Sequence, residues 1–288
     1  MQAFQNINNV IAGPHNSVLS LRCRYDTCAG PVFGDGTGFL IDNNVALTSA
    51  HVVYDWQSGS RASRIDCYIE RSILVNCNVI KSVVSCAYPL EFENTVLECS
   101  IRYQNQNWRQ WQNIQQALQQ TADTVCHDYA ILFLGQGQGL VGGIQPESYN
   151  SNLPKTSYDD RQLTFCGYPT EVPNKDNLLY GCPYEKIANL FGEYYGPGAL
   201  EFRNYTYGGM SGSPIRIQNG NNDWNALAIL SQTDRITLTY GCSFDEEKID
   251  SIKSMKQKQF SYDPIFCLNN GKKFILENIE NKQNLALY

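Results

Sequence analysis

The short segment around Ser211 restricts the possible structures of this chain more than any other. Gly208–Pro214 reads GGMSGSP, and an apolar run begins directly after it. A serine hydroxyl becomes a nucleophile only when a base takes its proton and donors face the oxygen that gains negative charge. A tight glycine turn can aim backbone N–H groups at such an oxygen. The segment therefore indicates a nucleophile loop with the amides of Gly209 and Ser211 as oxyanion donors, and a plain surface turn is the alternative.

Candidates for the base and for an orienting acid stand at the edges of strand-like runs. The chain has 3 histidines, and one of them, His51, follows the run Val45 to Ser49. Asp128 precedes the apolar run that continues to Leu134. The order His51, Asp128, Ser211 is one of the chain orders in which a Ser-His-Asp triad occurs. The three residues are therefore predicted to form one site.

Five segments lie along the chain in a specific order: Gly36–Ile41, Thr48–Val53, Asp128–Leu132, Gly167–Pro169 and Gly208–Pro214. In that order they resemble the trypsin/chymotrypsin-fold serine peptidases, and most of all the bacterial glutamyl endopeptidases and HtrA-type proteases. The resemblance implies an all-β fold of two six-stranded antiparallel β-barrels with the site between them. It implies Ser211 as nucleophile, His51 as general base and Asp128 as the group that orients His51, with Gly209 and Ser211 forming the oxyanion hole.

The pattern along the chain divides it into five parts. They are a loose N-terminal arm (1–16), a first barrel (17–135) with an inserted helix near 106–122, a linker (136–160), a second barrel (161–243), and a C-terminal helix with a short extra tail (244–288). The inserted helix follows from the spacing of Trp108, Trp111, Ile114 and Leu118. Alternating residues predict a strand over 93–102. The glycine content predicts a turn over 30–38.

The resemblance covers the specificity pocket only in part. Tyr205 stands where the trypsin group carries an acid, so cleavage after arginine or lysine is not predicted. Thr206 matches a threonine of the glutamyl endopeptidases, but Leu230 occupies the position of their wall-strand histidine. A buried substrate carboxylate without a donor would be costly, so an uncharged substrate side chain is expected. The predicted pocket residues are Tyr205, Thr206, Leu230, Ser231 and Thr233.

Two further departures from the family concern its latch and one of its disulfides. Met210 replaces the aspartate with which the new N-terminus of an activated trypsin-type zymogen pairs. Val52 replaces the cysteine that follows the catalytic histidine in the trypsin group. Neither the latch nor that bridge is expected in this chain.

Composition and charge restrict the classes of partner that are expected for this protein. A net charge of −6 without a basic block makes nucleic acid an unfavourable partner, and no apolar run is long enough for a membrane span. The N-terminus lacks the pattern of a signal peptide, whereas 11 cysteines would suit a secreted or luminal protein, so the compartment stays open. The cysteines form no Cys-x-x-Cys motif, and no metal or organic cofactor is predicted.

These features together predict a serine endopeptidase that cleaves a peptide or protein substrate through an acyl-enzyme. A protease-fold binding module without turnover is the main alternative, and an esterase that does not cleave peptides is a third. Nothing in the sequence indicates the oligomeric state.

Overall fold

The structure of the chain is a computed structural model. It describes residues 5–6, 17–68, 81–103, 122–135, 143–148, 163–170, 180–185, 198–203, 206–219, 223–233, 238–257, 265–267 and 271–279. The strands are β1 (Gln5–Asn6), β2 (Val18–Thr27), β3 (Gly30–Asp42), β4 (Val45–Thr48), β5 (Tyr54–Asp55), β6 (Ser60–Tyr68), β7 (Lys81–Pro89), β8 (Ala130–Leu134), β9 (Gln145–Pro146), β10 (Leu163–Gly167), β11 (Tyr180–Glu185), β12 (Ala199–Arg203), β13 (Pro214–Asn219), β14 (Asp223–Thr233), β15 (Leu238–Ser243), β16 (Ile265–Cys267) and β17 (Lys273–Asn278). The helices are α1 (Ala50–Val53), α2 (Leu90–Tyr103), α3 (Ala122–Cys126) and α4 (Glu246–Lys256).

The first sheet contains a closed barrel of six antiparallel strands. Its strands follow the order β6-β2-β3-β4-β8-β7, and β7 returns to β6 through the pair Cys67–Lys81. Alternate residues of β2, namely Leu19, Leu21 and Cys23, are fully buried in its interior. This period of two is what a strand with one face toward an apolar core requires.

The second sheet contributes its own core and shares another with the first. Its path is β1-β11-β10-β13-β14-β15-β12, with β9 parallel to β14. The interior of this sheet includes Phe165, Leu200 and Met210. A further cluster joins residues of both sheets to Ile252 and Met255 of α4. The predicted C-terminal helix thus packs its apolar side where the two sheets meet, and the predicted fold class is confirmed.

The turn predicted over 30–38 is wrong, because these residues form the first part of β3. The strand pairs with β2 without interruption from Thr27–Gly30 to Val18–Phe39. Gly34, Gly36 and Gly38 alternate along the strand, and each lies close to a large side chain. A Cβ on Gly34 would lie 3.1 Å from the Tyr25 ring, and one on Gly36 would lie 2.6 Å from Val52 Cγ1. The glycines therefore serve close packing on one face of a strand rather than a turn.

The strand predicted over 93–102 is also wrong, because α2 occupies these residues. Phe92 and Val96, four positions apart, are buried in the first barrel's cluster. Glu91 and Glu93 stand in the first turn, where the helix dipole favours carboxylates. Spacing by four thus overrides the local alternation. The helix predicted near 106–122 lies outside the described residues except at its last position, where α3 begins.

The C-terminal tail adds two strands to the first sheet. Strand β17 pairs antiparallel with β7, from Phe274–Pro89 to Asn278–Ser85, and β16 pairs with β17. One arginine connects this addition to the barrel. Arg61 on β6 donates to both oxygens of Glu93 at 2.8 and 3.0 Å and to Glu277 Oε1 at 2.6 Å. Its side chain thus joins β6, α2 and β17.

We expect Arg61→Met to lower the free energy of unfolding by about 1–3 kcal/mol, because two mostly buried carboxylates lose their shared cation. The loss should stay below that of a fully buried pair, since the Arg61 side chain is 36% exposed. Urea denaturation measures it. Lys253→Met is the matched control, because Lys253 and Asp250 are 3.7 Å apart and mostly exposed. Equal stability of the two variants would contradict the role given to Arg61.

Candidate active site

Strand pairing brings His51 and Asp128 together. Strands β4 and β8 are antiparallel, and Thr48 at the end of β4 pairs with Ala130 at the start of β8. His51 follows Thr48 by three residues and Asp128 precedes Ala130 by two, so both leave the same end of the ladder. His51 Nδ1 lies 2.7 Å from Asp128 Oδ2. Its neighbours on α1, Ala50, Val52 and Val53, are buried.

The Asp128 carboxylate is fully buried and accepts three hydrogen bonds. Besides the His51 ring, the His51 backbone N–H donates to Oδ1 at 2.9 Å, and Ser231 Oγ donates to Oδ2 at 2.5 Å. A buried carboxylate is stable only when its oxygens are well supplied with donors. Because both oxygens are held, the carboxylate in turn fixes the orientation of the His51 ring.

The environment of His51 favours its charged form. Burial of the ring opposes protonation, but the negative charge of Asp128 and its hydrogen bond outweigh burial, so the pKa of His51 is raised above its ordinary value of 6.5. The ring remains accessible, with 24% of the side chain exposed. A ring held on one nitrogen by a carboxylate and partly exposed is suited to proton transfer.

The loop of Ser211 lies beside α1. Gly212 N donates to Leu230 O at 2.8 Å, and the same oxygen accepts a hydrogen bond from Ser49 Oγ at 2.7 Å. Gly212 has φ +89°, and a Cβ there would lie 2.0 Å from Thr37 O. The shared acceptor thus links Gly212, which follows Ser211 directly, to Ser49, which lies two residues before His51. Among the hydrogen bonds of the described residues, none joins Ser211 Oγ to the His51 ring; such bonds often tighten only when substrate binds.

Two backbone amides of the loop point away from the partners of their own peptide carbonyls. The Gly208 carbonyl accepts from Thr170 N at 2.8 Å, and the Met210 carbonyl accepts from Ser213 N at 3.0 Å. In a trans peptide the N–H points opposite to the carbonyl, so the amides of Gly209 and Ser211 point away from these partners. Within the described residues, neither amide donates to a protein acceptor. Two such amides can stabilise an oxyanion.

The residues predicted for the specificity pocket lie in different environments. Thr206 is buried, Leu230 lies in the core of the second sheet, and the Ser231 hydroxyl is engaged by Asp128. Thr233 ends β14. Tyr205 lies outside the described residues. Met210 lies fully buried in that same core.

The sequence did not indicate several residues that support the loop or the Asp128 carboxylate. They are the hydroxyl residues Thr37, Thr48 and Ser49, and the residue Ser231, which was assigned to the pocket instead. Thr37 Oγ1 donates to Gly209 O, and Thr48 Oγ1 donates to Thr37 O. The available signal was the occurrence of Thr48 and Ser49 in the same segment as His51, three and two residues before it.

Most of the cysteines whose side chains the structure describes are buried. Cys23, Cys28, Cys67 and Cys242 form no disulfide. Burial raises the pKa of Cys67 to about 12 and that of Cys166 to about 11, which keeps both as unreactive thiols at neutral pH. In the described parts of the chain, no three His, Cys, Asp or Glu side chains are grouped to hold a metal ion. None of the helices found there has the length and apolarity to cross a membrane.

Comparison with known proteins gives a match in structure only. No family model and no curated protein sequence matches the chain. A Glu endopeptidase solved in complex with MPD superposes with a TM-score of 0.59 at 17% identity, over 88% of this chain and 97% of that one. The thermostable serine protease AL20 from an extremophilic microorganism gives 0.55 at 14%, over 84% and 98%. The HL collagenase gives 0.57 at 15%, over 88% and 100%.

These likenesses show the fold. The closed six-stranded barrel, the second sheet and the C-terminal helix form the double-barrel fold of the chymotrypsin-like serine peptidases. The resemblance seen in the five sequence segments is confirmed at this level.

Proposed function

We propose that the protein is a serine endopeptidase that hydrolyses peptide bonds through an acyl-enzyme. The observation that carries the proposal is the His51 ring, held at 2.7 Å by a buried carboxylate beside the glycine loop of Ser211. The protease folds of the solved neighbours support it. A peptide or protein is the proposed substrate, and the described residues include a candidate for the nucleophile, the base, the orienting acid and the oxyanion donors.

In the proposed reaction, His51 Nε2 accepts the Ser211 hydroxyl proton while Oγ bonds to the substrate carbonyl carbon. The amides of Gly209 and Ser211 donate to the resulting oxyanion. The carbon–nitrogen bond then breaks, and His51 gives its proton to the departing amine. Water repeats the sequence on the acyl-enzyme, which releases the acid and restores the Ser211 hydroxyl.

The substrate side chain before the cleaved bond is proposed to be uncharged. The name of the Glu endopeptidase describes that protein, and its preference is not carried over, because no histidine stands on the wall strand here. Leu230 occupies that position, with its side chain in the core. A peptide library with all residue types before the bond tests this preference.

A fluorophosphonate probe tests the proposal itself. The probe should form one covalent bond, and mass spectrometry should find it on Ser211. Absence of labelling in folded protein would contradict the activated serine and favour the binding module. Labelling with turnover of simple esters but not of peptides would favour the esterase.

The pH dependence follows from the direction of the His51 shift. Because protonated His51 cannot accept the Ser211 proton, kcat/KM should fall as pH drops through its raised pKa, with a midpoint above the ordinary 6.5. The stability effect has the opposite sign. The His51–Asp128 ion pair contributes fully below the unfolded pKa and is lost as pH rises through the folded pKa. Initial rates with a peptide substrate measure the profile, and a midpoint below 6.5 would contradict the geometry.

A further inference from the structure

Thr37 uses each of its polar groups between the two sheets. It lies fully buried in β3 of the first barrel. Its Oγ1 donates to Gly209 O at 2.8 Å and accepts from Tyr168 N at 3.0 Å. Its backbone N–H donates to Ser211 O at 2.8 Å, and its carbonyl accepts from Thr48 Oγ1 at 2.7 Å. One residue thus contacts the nucleophile loop, the second sheet and the strand that leads to His51.

The two carbonyls that Thr37 holds alternate with the amides of Gly209 and Ser211, which donate to no protein acceptor among the described residues. The peptide after Gly209 directs its carbonyl to Thr37 Oγ1 and its N–H, that of Met210, to Tyr207 O at 3.2 Å. The peptide after Ser211 directs its carbonyl to Thr37 N, and its N–H goes to Leu230 O. Fixing these two peptides fixes the ones between and before them, which carry the free donors.

The loop needs such an external restraint. Gly209 has φ +85°, and a Cβ there would lie 2.5 Å from Tyr168 O. Glycine fits this close approach, but it also leaves the backbone free to adopt other conformations. Without the Thr37 hydroxyl, the Gly209 carbonyl and the Tyr168 N–H would each lose a buried hydrogen-bond partner. The peptide orientation seen here would then no longer be favoured over other orientations of the loop.

We propose that Thr37 is a positioning residue, whose hydroxyl holds the Ser211 loop with the Gly209 and Ser211 amides turned toward the reacting carbonyl. The inference rests on the proposed function, because it assigns these amides to an oxyanion. It adds that the first barrel, through one hydroxyl, controls donors that belong to the second.

Variants that differ in the hydroxyl test this role. Thr37→Val removes it and keeps the shape, Thr37→Ser keeps it, and Thr37→Cys retains a weak donor. Thr164→Val is the matched control, because Thr164 is an equally buried strand threonine whose Oγ1 has no hydrogen-bond partner. Amide exchange is measured on the peptide that covers residues 206–214, beside steady-state kinetics of peptide hydrolysis.

In Thr37→Val we expect amide exchange of Met210 and Gly212 to rise about tenfold, as loss of a buried hydrogen bond predicts. We expect kcat to fall roughly 10- to 100-fold while KM stays within about threefold, because transition-state donors are misplaced. Thr37→Ser should restore both values, and Thr164→Val should change neither. If Thr37→Val does not fold, Thr37→Ser and Thr37→Cys are compared instead. We then expect a higher kcat and slower loop amide exchange in Thr37→Ser than in Thr37→Cys.

The outcomes separate the two proposals. The positioning role would be overturned, whether or not the protein is active, if loop amide exchange in Thr37→Val equalled that of wild type. If Thr37→Val does not fold, equal loop exchange in Thr37→Cys and Thr37→Ser would overturn it. Faster exchange in a protein that neither hydrolyses peptides nor reacts with a fluorophosphonate would support the positioning role and contradict the endopeptidase. Faster exchange with wild-type kcat would overturn the link to the oxyanion donors.

Discussion

Replacement of Ser211 by alanine is expected to lower kcat for peptide hydrolysis by about 10⁴-fold or more, the scale of loss when the nucleophile of a Ser-His-Asp site is removed. The reason is that His51 then has no hydroxyl to deprotonate and no acyl-enzyme can form. The remaining rate would reflect binding and the two backbone donors. Initial rates under saturating peptide measure the loss, and fluorophosphonate labelling should disappear with it.

A second serine variant controls for loss of the fold and for background activity in Ser211→Ala. Ser251→Ala removes a buried hydroxyl that donates to Glu247 O within α4, on an element that carries none of the proposed groups. It should keep kcat within about twofold of wild type, since it breaks only a local bond within one helix. Ser211→Ala with more than a tenth of the wild-type rate, at equal thermal stability, would contradict Ser211 as nucleophile.

The parts of the fold that sequence predicted correctly depend on short-range patterns. Adjacent asparagines such as Asn43 and Asn44 are typical of a hairpin turn, and the register Asp42–Val45 shows that hairpin between β3 and β4. The C-terminal helix predicted within 244–288 is α4, whose Ile252 and Met255, three positions apart, are buried in the shared core. In these cases the residues that decide the structure lie within one turn or one helix of each other.

The wrong predictions depended on partners distant in sequence. The role of Gly36 in β3 is set by Val52, and the helical state of Phe92 and Val96 is set by the barrel that they cover. Strand β17 finds its partner β7 nearly two hundred residues earlier in the chain. Composition alone does not identify such neighbours, because the same glycines or apolar residues would suit a turn or a strand.

In the candidate site as well, some residues are indicated by the sequence and others only by contacts in the structure. His51, Asp128 and Ser211 were indicated by residue type, order and resemblance, and the structure brings His51 and Asp128 into contact. Their joint catalytic role stays a prediction. Supporting hydroxyls such as those of Thr37 and Ser231 carry no signal of their own, since buried threonines and serines in strands usually serve packing. Only the three-dimensional contacts distinguish them.

Replacement of Asp128 by asparagine is expected to lower kcat by about 10⁴-fold, although its shape is nearly unchanged. Asp128 Oδ2 accepts from both His51 Nδ1 and Ser231 Oγ. An amide nitrogen in that place would donate, so His51 Nδ1 would have to accept, and its proton would move to Nε2. The nitrogen that should deprotonate Ser211 would then already carry a proton.

The activity that remains in Asp128→Asn should also show a changed pH dependence. Without the carboxylate charge, the influence that raises the pKa of His51 is removed, while burial still opposes protonation. The acidic limb of kcat/KM should therefore move to lower pH than in wild type, and nitrogen NMR of the His51 ring should show the changed tautomer. Asp66→Asn is the matched control, because Asp66 is also buried and pairs with Arg64 at 2.9 Å, apart from His51. If Asp128→Asn kept a tenth of the wild-type kcat with an unmoved acidic limb, Asp128 would not be the group that orients His51.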